Sequence, residues 1–395
     1  MKRSVRGAVI GALLAVWARS AAAAPAADGL YATVQTTLGE FCFELYYTNA
    51  PRTVANFVGL AEGARAWMDP RNGRVTTAPY YRDILFHRVI EGFMIQCGSP
   101  QGTGSDGPGY TFEDEFDPAL RHDGPGVVSM ANSGPNSNGG QFFVTVAETS
   151  WLDGVHSVFG RVVEGLDTVY AISRVPTNAN SRPLTDVVIT NLFITRNGAT
   201  AAAFSVTNWD LPVVTPLPMA PRSGAPPAFV AAAGEPICER RAFRSADLAN
   251  WSQARSDYAE TPPGEWLAPT DPAAPRVFYH AARTQYVLPY VPTSLAGHVV
   301  SADIGGDLHR VELAAADTGG MLTVGGNAPT AIAGREYDRV PCAGQLLVQT
   351  DPYGWLAYVL HFNSPTGGRC EVYQYTADGW VNAYDAAGTF TVASP

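Results

Sequence analysis

The sequence predicts a mainly β protein made of two domains behind a short leader. Segments of alternating apolar and polar residues recur along the chain, and such alternation is typical of half-buried strands. By contrast, only two stretches carry the apolar spacing of a helix. The 395 residues exceed the size of one compact domain. A stretch rich in Ala and Pro divides the chain, so the predicted parts are a leader (1–26), a first domain (27–197), a linker (198–234) and a second domain (235–395).

The leader has the pattern of an export signal. Lys2, Arg3 and Arg6 form a cationic start, and the apolar run 8–16 is too short to span a membrane. Small residues follow over 20–27 with the Ala-x-Ala spacing of a cleavage site. We therefore expect an exported protein, periplasmic or secreted, whose mature chain has no membrane span.

The charge balance argues against two classes of partner. The chain has 36 acidic residues against 26 basic ones and a formal net charge of -10, which disfavours binding to nucleic acid or to an anionic membrane surface. Hydrophobic residues make up 46% and aromatic residues 11% of the chain. Such a composition is that of folded domains and not of a disordered chain.

The five cysteines divide unequally between the two domains. Cys42 and Cys97 lie in the first domain, and Cys238, Cys342 and Cys370 lie in the second. In an oxidising compartment we expect a disulfide in the second domain, either Cys342–Cys370 or Cys238–Cys370. The odd count leaves at least one free thiol or an intermolecular partner.

In the first domain the pattern predicts a hairpin followed by a helix. The strands 30–36 and 41–47 alternate apolar and polar residues across a glycine turn. The helix after them has Asn49 as its capping residue, Pro51 in its first turn, and Gly63 as its end. The domain closes with a second helix over Leu166–Ser173 and a strand over 187–195.

The second domain is predicted to be an all-β sandwich or barrel, because short runs of alternating apolar and polar residues are separated by Gly, Pro and Asp. Its tryptophans, Trp251, Trp266, Trp355 and Trp380, are open to two interpretations: a ligand surface, or ordinary core packing. The predicted strands cover 276–291, 298–304, 308–314, 344–349, 355–362 and 370–376.

The segment 86–98, FHRVIEGFMIQCG, predicts two strands joined by a turn at Glu91-Gly92. Arg88 lies in the apolar part of this segment, where an unpaired guanidinium is costly to bury. Two interpretations stay open at this point. Arg88 pairs with a carboxylate such as Glu113 or Asp114, or its guanidinium stands over an apolar cleft and recognises a carbonyl or amide.

Two further signals point to chemistry only weakly. The loop 102–107 matches G-x-G-x-x-G, but Pro108 and Gly109 follow where a nucleotide-binding helix would start, so a surface loop is the better interpretation. His156 lies close to Asp153 in sequence, as in a hydrolase dyad, yet no serine stands in a nucleophile-elbow motif.

Three long motifs resemble the cyclophilin family of peptidyl-prolyl cis-trans isomerases. They are F-H-R-V-I-x-G-F-M-I-Q-x-G at 86–98, S-M-A-N-x-G-P-N-x-N-G-x-Q-F-F at 129–143, and W-L-D-G-x-H-x-V-F-G at 151–160. The resemblance covers about residues 29–197, and the insertion 69–81 is similar to that of exported bacterial members. It implies a closed eight-stranded β-barrel capped by two helices; the second domain resembles no family that we identify.

By position, the resemblance implies that Arg88 is the catalytic residue. The residues implied to line the proline pocket are Phe93, Met94, Phe143, Leu152 and His156. The residues implied to bind the peptide backbone are Gln96, Ala131, Asn132 and Gln141. His87 and Trp151 are implied to sit on the rim, where Trp151 matches the position that favours cyclosporin binding. The departures from the family pattern are Cys97, Ser133 and the triplet Tyr81-Arg82-Asp83, none of which is the implied catalytic group.

The implied activity is rotation of X-Pro bonds in exported proteins. The barrier of about 18–20 kcal/mol arises because amide resonance is lost in the twisted state. A guanidinium that donates to the prolyl nitrogen in that state lowers the barrier without nucleophile, metal or cofactor. The expected partners are proline-containing peptides and unfolded or partly folded proteins. The alternative is a non-catalytic proline-peptide binding module in which the second domain provides envelope or partner attachment.

Overall fold

The structure is a computed structural model. It describes residues 27–207, 209–217, 219–220, 228–230, 238–245, 247, 250–259, 265–267, 278–286, 295, 298–304, 307–314, 320–332, 334–340, 343–350, 354–364, 367–376, 379–382 and 388–393. The predicted leader, 1–26, lies outside them.

The first part of the chain is built of short strands and three helices. In chain order its elements are β1 (Gly29–Thr36), β2 (Gly39–Leu45), α1 (Pro51–Glu62), β3 (Trp67–Asp69), β4 (Arg74–Thr76), β5 (Ile84–Leu85), β6 (Arg88–Ile90), β7 (Met94–Cys97), β8 (Val127–Met130), β9 (Phe142–Thr145), a 3-10 turn (Ser150–Leu152), β10 (Val158–Glu164), α2 (Leu166–Ser173), β11 (Val188–Asn197) and α3 (Gly198–Ala203).

The described residues beyond α3 that have regular structure are all in strands. They are β12 (Val213–Leu217), β13 (Met219–Ala220), β14 (Ala228–Val230), β15 (Cys238–Ser245), β16 (Ser252–Ala259), β17 (Glu265–Leu267), β18 (Phe278–Gln285), β19 (Val299–Ile304), β20 (Asp307–Leu313), β21 (Gly320–Val324), β22 (Thr330–Ala331), β23 (Gly334–Val340), β24 (Ala343–Thr350), β25 (Gly354–Ser364), β26 (Gly367–Thr376), β27 (Gly379–Asn382) and β28 (Gly388–Ala393).

One antiparallel sheet carries the first part of the chain. Among the described residues its strand order is β5-β11-β1-β2-β10-β8-β9-β7-β6. The two outer strands, β5 and β6, are separated in the chain only by Phe86 and His87. A two-residue connection brings both edges of the sheet together, so the sheet curls on itself. The chain is mainly β with few helices, as predicted; closure into an eight-stranded barrel stays a prediction.

The inside of the curled sheet is filled by aromatic rings. Phe43, Phe57, Phe142 and Phe159 are fully buried, and the Phe57 and Phe142 rings meet edge to face with centroids 5.5 Å apart. Aromatic pairs at such distances contribute beyond the area that they bury. This core holds strands β7, β8 and β9 in place; β7 and β9 carry residues of the candidate site, and the segment after β8 carries two more.

Helix α1 begins and ends where the sequence predicts, but its cap differs. The Glu115 carboxylate accepts hydrogen bonds from the backbone N–H groups of Arg52 (3.1 Å) and Thr53 (2.8 Å). The predicted cap, Asn49, is wrong: its amide donates to Asp117 instead, and Ala50 holds the capping position without a side-chain bond. A carboxylate opposite a helix N-terminus satisfies two free donors at once and suits the helix dipole. Gly63 ends the helix with a left-handed φ of 71°.

Residues predicted as a linker contribute to the second half of the structure. Strand β12 comes from this segment and pairs with β18 in a sheet of order β12-β18-β15-β16. A larger antiparallel sheet contains β19 to β28, with β27 paired to β26 outside the main strand order. Each predicted strand of the second domain corresponds to a described strand, from β18 to β26. Whether these sheets form a sandwich or a barrel stays a prediction. Within the described ranges, none of the helices combines the length and the apolar character that a bilayer crossing requires.

The described thiols of the first domain are buried. Cys42 and Cys97 form no disulfide, and burial raises the pKa of the Cys97 thiol well above its usual value. Both predicted disulfides of Cys370 involve Cys342 or the Cys238 side chain, which lie outside the described residues. These pairings stay predictions.

The hairpin β3–β4, which overlaps the predicted insertion 69–81, packs against the sheet of β15 and β18. A Cβ at Gly73, whose φ is +69°, would lie 2.4 Å from the Phe243 ring, so only glycine allows this approach. The His280 ring nitrogen Nε2 lies 3.0 Å from the Asn72 carbonyl oxygen. The Arg74 guanidinium lies 5.6 Å from the centre of the Trp251 ring, so this tryptophan packs between the two parts of the chain. The side chains of the other three tryptophans singled out in the second domain lie outside the described residues.

Candidate active site

One open pocket collects most of the residues that the motifs single out. Its volume is about 320 Å³, within the range of small-ligand sites. Strands β6, β7 and β9, the β6–β7 turn, the segment after β8, the 3-10 turn and the loop that follows it contribute to the pocket. The lining residues are Arg88, Phe93, Met94, Gln96, Ala131, Asn132, Phe143, Leu152 and His156.

Arg88 stands exposed at this pocket. The β6–β7 ladder pairs Arg88 with Gln96, and the guanidinium donates to Gln96 Oε1 over 3.3 Å. The Arg88 Cζ atom lies 5.9 Å from the centre of the Phe93 ring. The guanidinium is therefore oriented by one neutral acceptor and one aromatic face.

The carboxylates considered as partners for Arg88 are engaged elsewhere. Glu113 forms an ion pair with Arg52 at 2.7 Å, and Asp114 accepts hydrogen bonds from Asn136 and Asn138. Among the described residues no carboxylate forms an ion pair with Arg88. Of the two interpretations, the geometry favours a guanidinium that faces an apolar pocket.

Phe143 forms the floor of the pocket and is only 4% exposed. The His122 ring stacks on it at 5.9 Å between centroids, and the His156 ring meets it edge-on at 5.5 Å. His156 is itself fixed, because its Nδ1 lies 2.9 Å from the Met130 carbonyl oxygen, which can only accept a hydrogen bond. Two imidazoles thus hold the aromatic floor in one orientation.

His122 is the supporting residue that sequence reasoning missed. Its Nδ1 lies 2.9 Å from Asp153 Oδ1 and its Nε2 lies 3.0 Å from Ser129 Oγ. The connectivity is that of a Ser-His-Asp triad, but the side chains of Ser129 and His122 are fully buried. Because no substrate reaches the serine, the group has a positioning role. His156 and Asp153 form no dyad, in agreement with the weak sequence signal, since Asp153 bonds to His122 and His156 bonds to the Met130 carbonyl oxygen.

Three of the residues implied by the resemblance lie outside the pocket lining. Gln141 lies beside it and is bonded to Gln96, with 3.1 Å between Nε2 of Gln96 and Oε1 of Gln141. His87 is buried and lies under the loop at Gly104, where a Cβ would lie 3.1 Å from His87 Cδ2. Trp151 is 66% exposed, with its ring centre 6.0 Å from that of Phe93, which places it at the edge of the pocket.

Comparison with known proteins decides the family. The family model described as "Cyclophilin type peptidyl-prolyl cis-trans isomerase/CLD" matches residues 31–193. Peptidyl-prolyl cis-trans isomerase B of Streptomyces anulatus is 48% identical over 171 residues, which cover 42% of this chain and 98% of that protein. The chain belongs to the cyclophilin-type peptidyl-prolyl cis-trans isomerases.

Other cyclophilins match the same share of the chain. Peptidyl-prolyl cis-trans isomerase A of Mycobacterium tuberculosis is 47% identical over 165 residues, covering 41% of this chain and 91% of that protein. The crystal structure of a Cryptosporidium parvum cyclophilin-type isomerase matches with 32% identity and a TM-score of 0.38, covering 42% of this chain and 98% of that one. The match to the family model ends at residue 193, before the second half of the structure begins.

The histidines around the cyclophilin site are expected to make stability depend on pH. Burial lowers the pKa of His87, His122 and His156 below the usual 6.5. Below about pH 6.5 the unfolded chain therefore takes up protons that the folded chain does not. The contribution of these histidines to the free energy of unfolding is expected to be present in full above about pH 6.5 and to be lost as the pH falls below it. Urea unfolding at pH 7.5 and pH 5.5 measures this difference, with His122→Asn expected to show a smaller one. Equal free energies at the two pH values would contradict the expectation.

Proposed function

We propose that this chain catalyses the cis-trans rotation of X-Pro bonds and that Arg88 is its catalytic residue. The observation that carries the proposal is the position of the guanidinium. It is exposed at the mouth of an apolar pocket, forms a hydrogen bond with the neutral side chain of Gln96 and lies over the Phe93 ring. A cation so placed is available to a substrate atom held in the pocket.

The chemistry follows from the electronic change at the prolyl nitrogen. In the planar ground state its lone pair is delocalised into the carbonyl, and in the twisted state the nitrogen becomes pyramidal and basic. A guanidinium N–H then donates to that lone pair. The hydrogen bond forms only in the twisted state, so it lowers the barrier instead of tightening ground-state binding.

The pocket walls suit a pyrrolidine ring. Phe143, Met94 and Leu152 supply apolar surface, and the ring lies against them while the carbonyl side of the bond rotates. The Asn132 side chain donates to the Val155 carbonyl oxygen over 2.9 Å, which fixes the segment after β8 beside the pocket. The Gln96 amide is held between Arg88 and Gln141. We assign these groups to the flanking peptide carbonyls.

A prolyl-peptide exchange assay on the purified full chain tests the proposed function. Uncatalysed rotation takes about 10–100 s, and catalytic amounts of the chain are expected to shorten this time. A rate that does not depend on the concentration of the chain would contradict the proposal. We propose exported proteins as the natural substrates, because residues 2–27 carry the pattern of an export signal.

We also propose that cyclosporin binds at the same site and that Trp151 contributes to its binding. The exposed Trp151 ring and the Phe93 ring form an aromatic edge on the pocket, which suits a bulky apolar ligand. Trp151→Ala is expected to raise the inhibition constant of cyclosporin about tenfold, since a large aromatic contact is lost. The control is Phe193→Ala on β11, which removes another exposed aromatic ring. Equal inhibition of the two variants would contradict the role of Trp151.

A further inference from the structure

A second, larger cleft adjoins the proline pocket and is shared with the second half of the chain. Its volume is about 440 Å³. Gln96, Ala131 and Asn132 line both the proline pocket and this cleft, so the two are continuous. We call it the interdomain cleft. One wall is the loop 104–111, and the facing wall is formed by Glu239, Arg241 and Tyr286 of the second half.

The loop wall is tied to the active site by hydrogen bonds. Gln141 Nε2 donates to the carbonyl oxygens of Gly104 (3.0 Å) and Asp106 (2.8 Å), and Gln141 itself accepts from Gln96. The Asp106 carboxylate accepts from the Ser99 hydroxyl at 2.8 Å. The loop 102–107 lies at the surface, as predicted, with Thr103 and Ser105 exposed. These hydrogen bonds fix it as a wall that is connected to Arg88 through two glutamines.

The facing wall is equally fixed. Glu239 is 5% exposed and accepts two hydrogen bonds from Arg241, at 2.5 and 2.6 Å. Strand β15 pairs Glu239 with Thr284 of β18, and the Thr284 hydroxyl donates to the Gly109 carbonyl oxygen over 2.8 Å. The sheet of β15 and β18 therefore contacts the loop wall directly, and both walls of the cleft are preorganised for a ligand.

We propose that the interdomain cleft binds the stretch of polypeptide that flanks the proline, so that the second half of this chain selects long substrates over short ones. The proposal rests on the proposed isomerase function. A chain that leaves the proline pocket past Gln96 and Asn132 enters this cleft directly. Each residue of an extended peptide presents one backbone donor and one acceptor. The Arg241 guanidinium, which Glu239 orients, supplies donors on one wall. The loop 104–111 supplies backbone donors and acceptors on the other.

The test compares three peptides with the same prolyl core. One is a tetrapeptide. The other two each carry about six more residues, which span roughly 20 Å when extended, one at the N-terminal end and one at the C-terminal end. The full chain is expected to act on one of the long peptides with a kcat/KM about tenfold above that for the tetrapeptide. The double variant Glu239→Gln, Arg241→Gln leaves no unpaired charge in the wall and is expected to reduce this ratio toward one.

A second variant fills the cleft from the opposite wall. A Cβ at Gly107 meets no atom within 4 Å, so Gly107→Trp places its ring in the cleft without a clash at the backbone. It is expected to remove the preference for the long peptide. The matched control is Gly326→Trp, since a Cβ at exposed Gly326 also meets no atom within 4 Å. Thermal unfolding of each variant verifies that it is folded.

The outcomes separate the two claims. A natural chain that turns over no peptide overturns the proposed function. If the natural chain turns over the tetrapeptide and the long peptides equally, the proposed selection by length is overturned and the proposed isomerase function is not. Preference for a long peptide that persists in both the double variant and Gly107→Trp overturns the assignment to this cleft.

Discussion

Replacing Arg88 by alanine is expected to lower kcat/KM for prolyl-peptide rotation by about 10²–10³-fold. The reason is that Arg88 contributes the one hydrogen bond that we assign to the twisted state alone. Because ground-state contacts with the pocket remain, the loss is expected in kcat, with KM changed little. Stability is expected to change little as well, since the side chain is exposed. A peptide-exchange assay over a range of peptide concentrations separates the two kinetic constants.

The control for this substitution is Arg82→Ala. Arg82 is also exposed, and its replacement by alanine changes the net charge by the same amount as that of Arg88. Because Arg82 does not line the proline pocket, this variant tests the effect of charge alone. Its kcat/KM is expected to stay within about twofold of the natural value. Equal losses in both variants would mean that charge alone matters and would contradict the role of Arg88.

Replacing Phe143 by alanine is expected to remove both stability and substrate binding. Phe143 is 4% exposed and packs against two imidazole rings, so the truncation is expected to lower the free energy of unfolding by about 3–5 kcal/mol. The same truncation removes the floor of the proline pocket, and KM is expected to rise about tenfold or more. Urea unfolding and peptide-exchange kinetics at low temperature, where the variant stays folded, measure the two effects.

The neighbouring residue supplies the matched control. Phe142 is fully buried, and consecutive residues of a strand project to opposite faces of the sheet, so its ring packs against Phe57 in the core. Phe142→Ala is expected to cost a similar free energy of unfolding and to leave KM unchanged. A rise in KM of equal size in both variants would show that the effect comes from general loosening and would contradict the place of Phe143 as the pocket floor.

The local pattern of the sequence predicts much of the first domain. The hairpin β1–β2 follows from strict alternation, and helix α2 lies over Leu166–Ser173 as predicted. The three motifs identify the family and place nine of the implied residues in one pocket. These successes share a cause: periodicity and motif order are local properties that a single sequence displays.

The errors and omissions concern contacts between distant parts of the chain. The cap of α1 comes from Glu115, which follows Thr53 by 62 positions, so no local spacing displays it. His122 stands in a loop without a motif and supports the site only through Asp153, Ser129 and Phe143. Composition predicts a linker where strand β12 joins the second sheet, because proline is also tolerated in edge strands. The wall of the interdomain cleft belongs to the same class of distant contact.

The central claim is that Arg88 speeds rotation of the bound prolyl bond. NMR exchange spectroscopy at saturating peptide measures the cis-trans exchange rate of the bound peptide, and titration of the same sample measures the dissociation constant. We predict that Arg88→Ala lowers the bound exchange rate by about 10²-fold or more and changes the dissociation constant by less than about threefold. A bound exchange rate equal to that of the natural chain, or a rate lost only through weaker binding, would contradict the account.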